Sequence, residues 1–300
     1  MAGKVFAVAN EKGGVGKTTT SVQLGHELAD RGNLVCIIDN DPSYDATTAM
    51  FGDDVPVEIS AGTKPEGIAN AIKLYDKDSQ FNPVEVKKNL YVMGSTDSLS
   101  TLKNAELDPA YDFLDSIEMM LEKFDYIIID CAPSFGMLFT AAMIAASAED
   151  TGGGVLIPMV PDDLSFKAAK KVANRIGQMN KRLRLGIKIL GVLANKVVNN
   201  PMPQSVKWYL NQTEEMFEGA VFKSQINQTV KISDAVSLQK KVADYAKKDS
   251  KPAKQIAALA DEVCDRLKSN DMMDVTERII ERLNAEKKEK LNQEGEAQRV

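Results

Sequence analysis

Cysteine is scarce in this chain. Cys36, Cys131 and Cys264 are odd in number, widely spaced and form no C-x-x-C pair. That argues against a disulfide framework or a zinc site and makes a reducing cytosol the natural compartment. No apolar run approaches the ~18 residues of a membrane span. The opening MAGKVFAVAN is interrupted too early for a secretory signal. An excess of positive charge is missing too: 37 Lys and Arg stand against 43 Asp and Glu, a formal net charge of −6. The chain as a whole is therefore no nucleic-acid coat, and any polyanion contact must come from a local patch. The single histidine, His26, has no acidic partner or nucleophile at a readable spacing. It reads as a packing or surface residue.

What the chain does have is alternation. Short apolar runs at 4–10, 33–39, 89–95, 124–130, 153–159 and 188–195 read as buried strands. Helix-like segments lie between and after them at 17–31, 65–75, 110–123, 137–148, 164–180 and 203–217. Near-continuous apolar strands alternating with helices predict an α/β fold, a mostly parallel sheet covered by helices on both faces. One compact domain over residues 1–268 is the simplest division, followed by a charged helical extension at 269–300. The extension is dense in Glu, Lys, Arg and Gln, which predicts a helix peripheral to the core that frays into solvent.

Between the first strand and first helix stands ANEKGGVGKTTTS, residues 9–21. It nearly spells the phosphate-binding pattern G-x-x-x-x-G-K-[ST], yet Glu11 stands at the first Gly, and a second lysine, Lys12, precedes Gly13. Gly13, Gly14 and Gly16 let the backbone around Val15 curl so that its N–H groups face phosphate oxygens, and the helix start adds its dipole. Lys17 would reach the β- and γ-phosphates, with Thr18 on Mg²⁺ and Thr19 beside it. Asp39 and Asp130 each close a strand, at the sheet edge where ligands bind in open α/β folds. There a carboxylate can hold Mg²⁺ directly or through water.

The strings KGGVGKTTT (12–20), IIDNDPSYDAT (37–47), YIIIDCAPS (126–134) and INQTVKISDAVSLQKKVADY (226–245) come in the order and spacing of ParA-type partition ATPases. The chain resembles that group, the deviant Walker A P-loop ATPases that include MinD, over most of residues 3–268. The resemblance implies ATP and Mg²⁺ as cofactors and a homodimer formed on ATP, in which Lys12 reaches the partner's phosphates while Lys17 serves its own. It also implies that Asp41 orients the attacking water, that Asp39 lies in the outer shell of Mg²⁺, and that Asp130 and the following CAPS form the γ-phosphate switch. Asn195, ending a strand, would read the adenine edge or simply form a turn. Two departures stand out: Ser43 where the group usually has Gln, and INQTVK (226–231) where it often has I-P-R-N-V-R. Cys131 has no second cysteine in a comparable loop, unlike the related nitrogenase iron protein, and is read as a small buried residue.

The segment 166–188 holds eight Lys or Arg and no acid. Its Lys167, Lys171 and Arg175 share one helix face at i, i+4, i+8. A second basic run, Lys231 to Lys254, has seven Lys against three Asp, and Lys231 falls where the resemblance implies a DNA-contacting residue. Such patches suit sequence-independent contact with phosphate backbones. A membrane anchor is not expected, because the C-terminal stretch lacks a wide apolar face with aromatic residues. The expected function is an ATP-dependent DNA partition ATPase: cytoplasmic and nucleoid-associated, binding nonspecific DNA as a dimer, and stimulated by a ParB-like centromere-binding activator. A positioning ATPase for a protein cargo or division site is the first alternative, and a metabolic P-loop relative the second.

Overall fold

The computed structural model describes residues 3–60, 67–147, 153–269 and 271–297. Seven strands form one sheet: β1 (Lys4–Val8), β2 (Val35–Asn40), β3 (Val84–Lys87), β4 (Leu90–Met93), β5 (Tyr126–Cys131), β6 (Gly154–Met159) and β7 (Ile189–Ala194). Their order is β3-β4-β2-β5-β1-β6-β7. Every pairing is parallel except β3 with β4, which is antiparallel. The six expected strands are all there. β3, short and half-exposed, was not expected.

The period of two explains why the strands read as unbroken apolar runs. In β1, Val5 and Ala7 enter the core on one face while Phe6 and Val8 enter the core on the other, and Ile127 and Ile129 are likewise split from Ile128 in β5. The first face is covered by α3 (Asp108–Leu121), α4 (Met137–Ala145), α5 (Asp163–Leu183) and α10 (Met272–Ala297), through residues such as Phe113, Phe139, Val172 and Ile279. The second is covered by α1 (Lys17–Asp30) and α9 (Lys251–Lys268), with Leu24, Leu28, Leu259 and Val263 inward. The remaining helices are α2 (Asp45–Phe51), α6 (Gln204–Met216), α7 (Val230–Ser237) and α8 (Val242–Ala246).

Three expectations need correction. The helix expected at 65–75 is a 3-10 turn over Ala71–Tyr75; residues 65 and 66, like residue 148 of another expected helix, lie outside the described residues. Helices α2, α7, α8 and α9 were not anticipated. The C-terminal helix is peripheral only in its second half: Met272, Val275, Ile279 and Leu283 are buried in the core of the first face, and the Thr276 hydroxyl donates to the Met272 carbonyl and accepts from the Ile189 N–H. The turns of α10 before Leu283 thus finish the cover over β7.

Both sheet edges are occupied or short. Outside β7, the segment 220–227 runs alongside: Val192 N–H donates to Ala220 O, and Phe222 N–H donates to Val192 O. The Arg266 guanidinium caps the carbonyls of Leu190, Ala220 and Val221. The other edge is β3, four residues with an irregular register and the charged Glu85 and Lys87.

Candidate active site

The site lies where β1, β2 and β5 end. Asp39 and Asp130 are register partners on neighbouring strands, so the strand geometry alone sets the two carboxylates side by side next to the Gly-rich loop. The loop, 9–16, leaves β1 and enters α1 through Gly16, whose φ of 92° belongs to the left-handed region, as does the 74° of Gly14. A Cβ on Gly16 would overlap the Asn195 amide. Lys17 and Thr18 begin α1, and Lys17 is buried in the loop at 8% exposure.

Two hydroxyls of α1 hold the Asp130 carboxylate. The Thr18 hydroxyl donates to one carboxylate oxygen at 2.7 Å, and the Ser21 hydroxyl to the other at 2.8 Å. Asp39 accepts from the Thr47 N–H and hydroxyl, each at 2.7 Å, and from the Asp41 N–H at 3.3 Å. Burial pushes the Asp39 carboxyl up to about 8, with the Asp130 charge adding to it. Burial also raises Asp130, to about 6, against the pull of Thr18, Ser21 and Lys17. Two carboxyls buried side by side, with Lys17 as the nearby cation, leave negative potential that a divalent ion would relieve. Among the described residues no group of three or more His, Cys, Asp or Glu could hold a metal by itself. The donor set fits Mg²⁺, which takes one or two protein oxygens and completes its shell with water and substrate phosphate.

Asp41 is buried at the mouth of the site. One carboxylate oxygen accepts from Ser43 N–H at 2.9 Å, and its backbone carbonyl accepts from the Ser95 hydroxyl at 2.7 Å. Ser95 N–H in turn donates to the Thr47 hydroxyl that holds Asp39. Sequence reasoning gave no role to Thr47, in α2 at the end of the string 37–47, or to Ser95, which follows β4 and carries no local motif. Ser21, also missed, lies one turn along α1 from Lys17, where i+4 spacing would have pointed to it.

Lys12 is placed apart from Lys17. Its ammonium bonds both Asp162 carboxylate oxygens and the Ser165 hydroxyl, all at 2.9 Å, and Asp162 is the residue capping α5. Its N–H donates to the Asn10 side chain, which is anchored to the Pro158 carbonyl.

Asn195 differs from the base-reading role. Its amide donates to Val15 O at 2.7 Å, and its oxygen accepts the Lys196 N–H, so it is buried against the loop. Thr19 and Asn195 do border a cleft of about 240 Å³, whose other walls include Lys196, Ile226, Gln228 and Val230. The cleft adjoins the loop.

Among the basic residues, Lys167 pairs with Asp163 at 2.7 Å, Lys170 with Glu286 at 2.6 Å and Lys171 with Glu11 at 2.8 Å. Carboxylates from outside the acid-free segment, or just before it, thus offset the α5 patch. The Arg175 Nε is buried without a partner among the described residues. Lys231 is exposed at the start of α7, beside the cleft, and makes no ion pair among the described residues.

The family model described as AAA domain matches residues 3–189. The sporulation initiation inhibitor protein Soj of Bacillus subtilis is 28% identical over 81% of this chain and 91% of its own. The chromosome partitioning protein ParA of Myxococcus xanthus is 26% identical over 88% and 89%. Among solved structures, apo McdA from Cyanothece superposes with a TM-score of 0.72 at 19% identity, covering 88% of this chain and 99% of that one. This last likeness speaks to the fold.

Proposed function

Because the chain belongs to the AAA domain family as a ParA/MinD-type P-loop ATPase, we propose that it hydrolyses ATP with Mg²⁺ and uses the cycle to hold and release a DNA track. The observation that carries this reading is the unequal placement of two lysines in one loop. Lys17 is buried at the start of α1, while Lys12 is held on the cap of α5. A cation held outside its own loop suits delivery to the phosphates of a second, facing copy, where charge develops on the transferred group.

The roles follow from position. Gly13 to Gly16, Lys17 and Thr19 bind the phosphates. Thr18 and Asp130 would hold Mg²⁺ and Asp39 its outer water, and the ion would neutralise charge on the β- and γ-phosphate oxygens. Asp41, fixed through Ser43 and Ser95, orients the attacking water with its remaining oxygen. Lys231 is the leading DNA contact, being exposed and unpaired among the described residues. A ParB-like centromere-binding activator accelerates turnover. The test is a gel-shift series on two unrelated duplexes with ATP, ADP and no nucleotide. Binding with ATP alone, steeply weakened by salt and indifferent to sequence, is expected. Equal binding in all three states, or none, overturns it.

One observation favours a second reading, a positioning ATPase that carries a protein cargo. The lysines of α5 spend their charge on Asp163, Glu286 and Glu11, which leaves a weaker polyanion surface than the sequence promises.

A further inference from the structure

Lys196 has no role in the reading above, yet its side chain lies across the phosphate loop. Its ammonium donates to the Gly14 carbonyl at 2.7 Å, beside the Asn195 amide on the Val15 carbonyl at the same distance. Lys196 holds a φ of 53°, a left-handed backbone that a lysine adopts only at a cost. The Lys196 N–H bonded to the Asn195 oxygen helps to fix that turn. Two adjacent side chains after β7 therefore grip two adjacent carbonyls of a loop some 180 residues earlier.

The peptide unit turns this grip into a statement about phosphate. A trans peptide points its C=O and the following N–H in opposite directions. A Gly14 carbonyl drawn outward by Lys196 sends the Val15 N–H to the other side, and a Val15 carbonyl drawn outward by Asn195 does the same for the Gly16 N–H. Gly14 and Gly16, with φ of 74° and 92°, take up left-handed backbone that other residues resist, so the peptide planes on either side of Val15 depend on what their carbonyls are bonded to.

We propose that Lys196 is a positioning residue of the phosphate cradle, holding the 14–15 peptide so that its N–H faces the bound phosphates. Asn195 does the same for the next peptide. Lys196 also walls the neighbouring cleft with its stem, so base contact and phosphate geometry meet in one side chain. The proposal rests on the loop being the nucleotide site. Wild-type protein that binds no ADP would remove that premise, whereas the comparisons below, made against a binding wild type, address Lys196 alone.

The experiment compares wild type, Lys196→Met and Lys196→Arg. The methionine keeps most of the stem and removes the ammonium; the arginine keeps a donor. ADP affinity is measured by calorimetric titration, and adenosine affinity by NMR titration at millimolar concentration. Lys196→Met is expected to weaken ADP about tenfold, the scale of one charge-assisted hydrogen bond, and to leave adenosine unchanged. Lys196→Arg is expected to recover most of the ADP affinity. Hydrogen exchange of the nucleotide-free protein should rise at residues 13–16 in the methionine variant, which loss of a direct phosphate contact would not cause. Adenosine binding by the variant also serves as the check on its folding. Parallel loss of both ligands, loss of neither, or unchanged exchange in the loop overturns the proposal.

Discussion

Lys12 and Asp162, 150 residues apart in sequence, form an ion pair at 2.9 Å that ties the phosphate loop to the cap of α5. Both side chains are partly exposed, 29% and 41%, so the pair is cheap to break. A lysine needed across a dimer must first leave this partner. Asp162→Asn keeps a good helix cap and removes the charge. It is expected to shift ATP-driven dimerisation several-fold toward lower protein concentration, as read by analytical ultracentrifugation. Unchanged dimerisation would mean that the pair does not restrain Lys12.

The two loop lysines should separate by step. Lys17→Ala is expected to abolish nucleotide binding, and Lys12→Ala to keep most of it while losing dimerisation on ATP. Fluorescent-nucleotide titration and sedimentation measure the two properties independently. Failure of both variants at the same step contradicts the division of labour.

Asp41→Ala should leave nucleotide and Mg²⁺ binding intact, because Lys17, Thr18 and Asp130 are untouched, and slow hydrolysis by about 10²-fold or more. An ATP-bound dimer should accumulate. Steady-state turnover near that of wild type would remove Asp41 from the water-positioning role.

His26 offers a pH test away from the Asp39 and Asp130 carboxylates. Burial lowers it to about 4, with Lys87 and Lys241 also lowering it and Asp30 opposing. Its Nδ1 is buried without a partner among the described residues. The unfolded chain therefore takes up a proton near 6.5 that the folded one refuses until about 4. Stability contributed by the neutral ring is complete above pH 6.5 and is lost as the pH falls toward 4, by about 3 kcal/mol at most. Asp39 and Asp130, raised by burial, take up protons in the folded state and give slopes of the opposite sign over this range. The His26 contribution is therefore read as the difference between wild type and His26→Gln in denaturant unfolding between pH 7 and 4. An equal slope in the variant refutes the assignment.

The start of α10 is core rather than appendage. Ile279→Ala is expected to destabilise the protein by about 2–4 kcal/mol, against less than about 0.5 kcal/mol for a change at the exposed Leu291. Chemical denaturation reads both. A small effect at Ile279 would return the helix to the periphery.

The parallel sheet was legible because its strands are apolar on both faces, as the split of Val5 and Ala7 from Phe6 and Val8 displays. β3 was not, since VEVK alternates like many exposed turns and gains its identity only from pairing with β4. α9 carries Ile256, Leu259, Ala260 and Val263 at helical spacing, a signal masked by the dense lysines on either side of it. Within the site, Lys17, Thr18 and Asp130 could be assembled from local strings because strand ends converge in this fold. The bonds of Lys12 to Asp162, Thr47 to Asp39 and Lys196 to Gly14 could not, since each joins segments whose proximity only the tertiary structure decides. Asn195 shows the same limit from the other side: its identity was noticed, but its partner, the Val15 carbonyl, is invisible in sequence.

The guarded margins of the sheet limit how copies of this chain can come together. Segment 220–227 and Arg266 already consume the hydrogen-bonding groups beside β7, and β3 is too short, irregular and charged to recruit a neighbour. Growth by adding strands, the route to fibres and aggregates, is thereby disfavoured. Association is left to side-chain contacts on helices and loops, and contacts of that kind can form and dissolve many times without disturbing the backbone beneath them.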